Sequence, residues 1–431
     1  MRQKSLRLLI CFSFFVLFFE SFGYAQSLSK ADYLYPYKDP YLATASILIM
    51  QGSEKPPTST IWDQRIKLLD HRDDIPLLEG KGTLRYRFYQ QKGPAPLVFI
   101  LPGLSGSAYV GTARYVAEWL ASHGFHVLIM PSPLNWNFAL AASVSGYPGY
   151  TKDDTKDLYS AMRLVLNDVK TSRHAEIGKI GMLGFSDGAL YTGYICKMDS
   201  ELKQIGFDRY LLINPPLDLL DAARKIDQMA KIGKGYSNDK KFDLQAYAFG
   251  EGVEAMNNDI DDPSYFASLD KRLGLNDKEI EYLIGKNMND SVGDAVYVID
   301  INKNEKVLKT QLSWQFRSAR IKEARSYGLM GYVKKFLIPY LQKTDQKGMD
   351  IKTLGAVDSL REIAPILQKN QTAFLMHNQD DIIVSKSDVV YLEKVFGDRA
   401  TIYPYGGHLG NLWYPENRKH ILDVFKPLLQ D

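Results

Sequence analysis

The sequence predicts an α/β protein: a mostly parallel central sheet with helices on both faces, interrupted by a large helical insertion. Three observations predict it. Short apolar, β-rich runs alternate with helical patterns from Thr83 to Ile213. The alternation then gives way, from Leu217 to Leu367, to charged, aromatic-rich and mainly helical sequence. It resumes at Thr372 and continues to the C-terminal region. Strands alternating with helices imply parallel strands joined by helical crossovers, and a helical block between two such stretches reads as an insertion.

In chain order, Thr83–Gln90 and Leu97–Leu101 read as strands and Ala113–His123 as a helix. The apolar run His126–Met130 is followed by the amphipathic helix Asp153–Val169. Lys179–Phe185 is a strand that leads into a helix from Gly188 to about Lys197. Tyr210–Ile213 is a buried run closed by Asn214-Pro215-Pro216. Within the insertion, Leu217–Met229, Ser264–Leu273 and Ser318–Leu341 have helical character. Thr372–His377, Lys386–Val395, Ala400–Tyr403 and a last helix from Pro415 to Leu429 complete the pattern. Residues 26–80 are polar and broken by Pro36, Pro40 and Pro56-Pro57, so they read as an irregular N-terminal extension packed over the main fold. The resulting division is 1–25 leader, 26–80 extension, 81–216 with 368–431 core, and 217–367 insertion.

Arg2, Lys4 and Arg7, the apolar run Leu8–Phe19 and the small residues Gly23 and Ala25 have the pattern of a secretory signal peptide cut after Ala25. The apolar run is shorter than the roughly 20 residues a spanning helix needs. Export to the periplasm or the medium is therefore expected, with no stable span left after cleavage. Cys11 lies inside the apolar run and Cys196 is the only other cysteine, so no internal disulfide is expected in the mature chain. At 431 residues and 45% hydrophobic content the chain can build a large core without one. The net charge of +3 is spread over mixed charges with no basic stripe, which argues against a nucleic-acid partner. Neither H-E-x-x-H nor a paired Cys/His spacing is present, so no metal or cofactor is expected. The oligomeric state is left open.

Gly184-Phe185-Ser186-Asp187-Gly188 matches G-x-S-x-G. That pattern serves a tight strand-to-helix turn that lifts a serine hydroxyl into the open, and here a strand precedes it and a helix follows. The serine needs a base. Of seven histidines, His71, His123, His126 and His174 precede the serine, His377 ends a strand and His420 lies within the last helix. His408 sits between glycines in Gly406-Gly407-His408-Leu409-Gly410, just after the last strand, and is the candidate. The base needs a carboxylate to fix its tautomer. Asp380 and Asp381 follow the strand Phe374–His377, and Asp218 follows Pro216 as an alternative. The oxyanion formed on attack needs N–H donors. Asp187 supplies one, and Leu104, in the loop Pro102-Gly103-Leu104-Ser105-Gly106, supplies the second, with Ser105 next.

Together the Pro102–Gly106 loop, the Ser186 elbow, the run Asp380-Asp381-Ile382-Ile383-Val384 and the Gly406-Gly407-His408 loop resemble the α/β-hydrolase superfamily, over roughly half the chain. The resemblance implies an esterase or lipase-like enzyme with an acyl-enzyme intermediate. It also favours Asp381, three residues before Val384, over Asp380. It makes the block 217–367 a lid, whose Tyr327–Tyr332 cluster either lines a lipophilic pocket or packs the lid on the core. Asn135-Trp136-Asn137-Phe138 is a second candidate for pocket lining or loop packing. The expected substrate is a carboxylic ester, with thioester, amide or polyester left open. The competing reading is an inactive hydrolase-fold protein that serves as a binding or scaffold component of the cell envelope.

Overall fold

The computed structural model describes residues 32–51, 59–72, 75, 77–257, 274–344 and 346–430. The leader 1–25 and the helix expected at Ser264–Leu273 lie outside the described residues. Eight strands form one sheet: β1 (Thr60–Ile66), β2 (Leu84–Gln90), β3 (Ala95–Leu101), β4 (His126–Ile129), β5 (Ile177–Phe185), β6 (Arg209–Ile213), β7 (Ala373–Asn378) and β8 (Ala400–Tyr403). Their order across the sheet is β1-β2-β4-β3-β5-β6-β7-β8. β2 runs antiparallel to both its neighbours, β1 and β4, and β3 to β8 are parallel to one another.

The central strands are apolar along their whole length because helices cover both faces. Every residue of β3, β4 and β7 is buried. Two hydrophobic cores result, one on each face. One gathers Phe99, Met182 and Leu212 with Leu158 and Val165 from α4 (Thr151–Ser172). The other gathers Val98, Leu183 and Ile213 with Leu120 from α2 (Gly111–Ser122) and Phe425 from the last helix.

The extension departs from its expected irregularity. Thr60–Ile66 joins the sheet as the edge strand, paired residue by residue with β2. No apolar run marks it because one side of an edge strand faces water, and its burial only alternates between exposed and half-buried. Upstream, α1 (Pro40–Ala45) is capped by Asp39, whose side chain accepts from the N–H groups of Tyr41 and Leu42.

The helical block lies between β6 and β7, which are neighbours in the sheet. Its first helix, α6 (Leu219–Lys231), starts at Asp218, whose side chain caps the Asp221 N–H. The single helix expected over Ser318–Leu341 is interrupted: one helix ends at Arg325, Gly328 takes φ +61°, and the chain then continues through a π-helical turn at Val333–Leu337. The block packs on the rest of the chain through several of its helices. Helix Gly293–Lys303 packs on α3 (Trp136–Ala141), and helix Asp277–Ser291 packs on α1. Among the described residues no helix is long and apolar enough to cross a membrane.

Candidate active site

β5 enters the middle of the sheet and ends at Phe185, and α5 (Asp187–Leu202) begins two residues on. Ser186 between them has φ 52° and ψ −124°, a conformation a non-glycine residue holds only under strain. Both flanking glycines are required by space. A Cβ on Gly184 would fall 2.2 Å from the Gly188 carbonyl oxygen and 2.3 Å from Thr192 Oγ1. One on Gly188 would fall 2.4 Å from the carbonyl oxygens of Leu101 and Pro102. Gly184→Ala is therefore expected to destabilise the fold by about 3 kcal/mol, read as a lowered urea midpoint with an unchanged slope.

The turn brings the serine to His408, which arrives from the loop after β8. Ser186 Oγ donates to His408 Nε2 at 2.8 Å, and His408 Nδ1 donates to Asp381 Oδ2 at 2.9 Å. The three residues are 7%, 2% and 8% exposed, so the relay is shielded from bulk water. Asp381 is held by further donors: Asn214 Nδ2 reaches Oδ2 at 2.8 Å and the Ile383 N–H reaches Oδ1 at 2.9 Å. Burial pushes this carboxyl up, but the charge and hydrogen bond of His408, with His377 and the Ile383 N–H, hold it below the usual carboxylate range.

The other acids have different work. Asp380 turns away from the imidazole and accepts from the N–H groups of Gly406 (3.3 Å) and Gly407 (2.9 Å). Burial pushes its carboxyl up to about 6. Asp218 is the cap of α6 and pairs across to Ser359. Neither is placed at His408. The remaining histidines are structural or peripheral: His377 Nε2 lies against the Pro215 carbonyl, His126 accepts from Gln91 N–H, and His420 bonds Tyr403. His123 bonds the Trp119 carbonyl, and His71 and His174 are exposed loop residues. Cys196 is fully buried in α5, and burial raises its thiol to about 12.

The two segments that carry the expected oxyanion donors both meet Ser186. Asp187 opens α5, where N–H groups lack partners within the helix. The Pro102–Gly106 loop lies directly against the serine, since a Cβ on Gly103 would sit 3.1 Å from Ser186 Cβ. Leu104 follows, half-buried, and Ser105 takes φ 55°. Asn135 holds this loop: its Nδ2 donates to the Ser105 carbonyl at 2.8 Å, while Ser132 N–H bonds Gly106 O. So the Asn135–Phe138 segment supports the Pro102–Gly106 loop. Tyr332 in turn packs the helical block on the core through a hydrogen bond to the Pro148 carbonyl at 2.5 Å.

Asn214 and Thr44, which bonds the His408 N–H, carried no functional signal in the sequence. Asn214 read as a strand terminator beside two prolines, and its side-chain role depends on the pairing of β6 with β7.

The strand order, the elbow at the end of β5 and the Ser, Asp, His order along the chain coincide. The chain has the α/β-hydrolase fold. No family model matches it, and no curated protein matches it. Solved structures similar to it include an acylaminoacyl peptidase from Pyrococcus horikoshii, at TM-score 0.44 and 10% identity over 87% of this chain and 42% of that one. An esterase from the archaeon Pyrobaculum calidifontis is similar at TM-score 0.41 and 15% identity, over 90% of each chain. A thermostable esterase from Pseudomonas putida has TM-score 0.45 and 11% identity, over 90% of this chain and 89% of that one. The chain spans less than half the length of the acylaminoacyl peptidase. The α/β-hydrolase fold itself is read from the strand order.

Proposed function

We propose that the protein is an exported serine hydrolase that cleaves carboxylic esters through an acyl-enzyme. The observation that carries this reading is the continuous relay from Ser186 Oγ through His408 to Asp381, with hydrogen bonds of 2.8 and 2.9 Å. His408 takes the serine proton as Ser186 attacks the carbonyl carbon. The N–H groups of Asp187 and Leu104 receive the developing oxyanion. His408 then protonates the leaving alcohol, the ester bond breaks, and the acyl group stays on Ser186. Water, deprotonated by the same imidazole, releases the acid and restores the hydroxyl. Asp381, ionised and already bonded to the imidazole, stabilises the imidazolium in both halves.

The helical block 217–367 acts in this reading as the lid, resting on α3 behind the oxyanion loop and on α1 beside the His408 loop. Export rests on the leader pattern, and the secreted form is expected to begin at Gln26 by N-terminal sequencing.

A fluorophosphonate probe tests the reading. Wild-type protein is expected to be labelled at Ser186, and Ser186→Ala to lose the label together with turnover of p-nitrophenyl esters. Equal labelling of both, or of neither, sinks it and leaves an inactive hydrolase-fold scaffold. An ester panel of graded chain length then gives the acyl preference.

A further inference from the structure

We propose that residues 32–46 form a strap that fixes the general base, with Thr44 as the positioning residue for His408; this rests on the hydrolase reading above. The loop carrying His408 is conformationally demanding. Gly406, Gly407 and Leu409 all have positive φ, at 144°, 54° and 66°. Left to itself such a loop has many alternatives, and a base must be held to a fraction of an ångström to be effective.

The strap supplies that hold by close insertion. A Cβ on Gly407 would fall 2.2 Å from the Pro40 carbonyl oxygen and 2.4 Å from Thr44 Oγ1. One on Gly410 would fall 1.7 Å from the Ala43 carbonyl oxygen. The loop's glycines thus make room for another segment's backbone, on both sides of His408. Between them, Thr44 Oγ1 accepts the His408 N–H at 2.9 Å and donates to the Pro40 carbonyl at 2.7 Å. Ser46 is placed similarly: its hydroxyl proton faces both the Ala43 carbonyl (2.7 Å) and the Gly410 carbonyl (2.9 Å), and its oxygen accepts from Trp413 Nε1 at 3.1 Å.

The rest of the strap anchors these two hydroxyls. Tyr33, Tyr35 and Tyr37 are buried while Leu34 is 75% exposed, the alternation of an extended chain with one face inward. Their rings pack against Tyr403, Trp413 and Tyr414 at centroid distances of 5.0 to 6.4 Å. Tyr33 also donates to Asn417 at 2.6 Å and accepts from Asn411. Asn411 pairs with Asn378, which bonds the Gly407 carbonyl and is the last residue of β7, three before Asp381. The strap thus ties the base loop to the strand end that bears Asp381.

Thr44→Val keeps the shape, removes the acceptor and leaves a buried N–H without a partner. Per active site titrated with the fluorophosphonate, kcat is expected to fall by about tenfold to a hundredfold with KM within about twofold, and Thr44→Ser to recover it. A merely structural role lowers the number of titratable sites and leaves kcat per site alone. If Thr44→Val does not fold, Ser46→Ala carries the test, with a smaller fall in kcat per site expected. Wild-type kcat per site in Thr44→Val, or in Ser46→Ala where only that variant folds, overturns the proposal. Failure of the hydrolase reading is seen separately, as wild-type protein that takes no label. In that case amide exchange of residues 405–410 decides: faster exchange in Thr44→Val supports the strap, and unchanged exchange overturns it.

Discussion

His408→Ala is expected to lower kcat for an activated ester by about five to six orders of magnitude with KM little changed. Among the described residues the serine hydroxyl is paired with no other base, and His377 is held at Nε2 by the Pro215 carbonyl and at Nδ1 by the Asn378 backbone. In a relay whose members act as one unit, losing the base removes nearly all the acceleration the relay gives, leaving what the oxyanion donors and binding supply. Asp381→Asn is expected to cost about 10⁴-fold, because an amide facing Nδ1 disfavours the tautomer that leaves Nε2 free to accept the serine proton. The alternative acids give the control. Asp380→Asn and Asp218→Asn are expected to cost less than about tenfold, since neither faces the imidazole. Steady-state kinetics of the four variants, with stopped-flow for the slow ones, check the ranking. A larger loss for Asp380→Asn or Asp218→Asn than for Asp381→Asn would move the acid.

Much of this site was legible because its parts obey local rules. Gly184 and Gly188 are required by space at one turn, so the elbow leaves a mark in five consecutive residues. Asp381 and His408 each follow a strand end, and strand ends are readable from apolar runs bounded by glycine and asparagine. The parts that escaped depend on distant segments. β1 is half-exposed at the sheet edge and has no apolar run to betray it. Tyr33, Tyr35 and Tyr37 do show a period of two, but their partners lie some 370 to 384 residues away, at the end of β8 and in the loop and helix that follow it. Thr44 and Asn214 act by single hydrogen bonds whose partners are set only by how strands and loops come together. The helical character expected over Ser318–Leu341 holds along most of the run, and the break at Ser326-Tyr327, where Gly328 takes positive φ, depends on tertiary packing.

The second large expected effect concerns Asp187, whose backbone is assigned to the oxyanion and whose side chain is buried without a partner. Neither carboxyl oxygen has a hydrogen bond among the described residues, and burial pushes the group up to about 7. An acid raised from its ordinary value near 3.8 keeps its proton longer in the folded protein than in the unfolded chain. Its contribution is therefore most favourable below about pH 4, is lost as pH climbs toward 7, and levels off above that. The shift corresponds to a cost on the order of 4 kcal/mol for the ionised form. Asp187→Asn keeps the shape of the protonated acid and cannot ionise. Its stability relative to wild type is thus expected to rise by about 2 to 3 kcal/mol between pH 5 and pH 8, and the same stability difference between the two proteins at both pH values would refute this. Activity should follow the same group. A carboxylate formed on the residue that donates to the oxyanion opposes the negative charge that develops there. Wild-type kcat/KM is expected to fall above about pH 7, and Asp187→Asn to lose that alkaline fall while keeping the backbone donor. The same exchange that stabilises the protein in mild alkali is then the one that extends its working range upward, which ties the strain beneath the elbow to the chemistry above it.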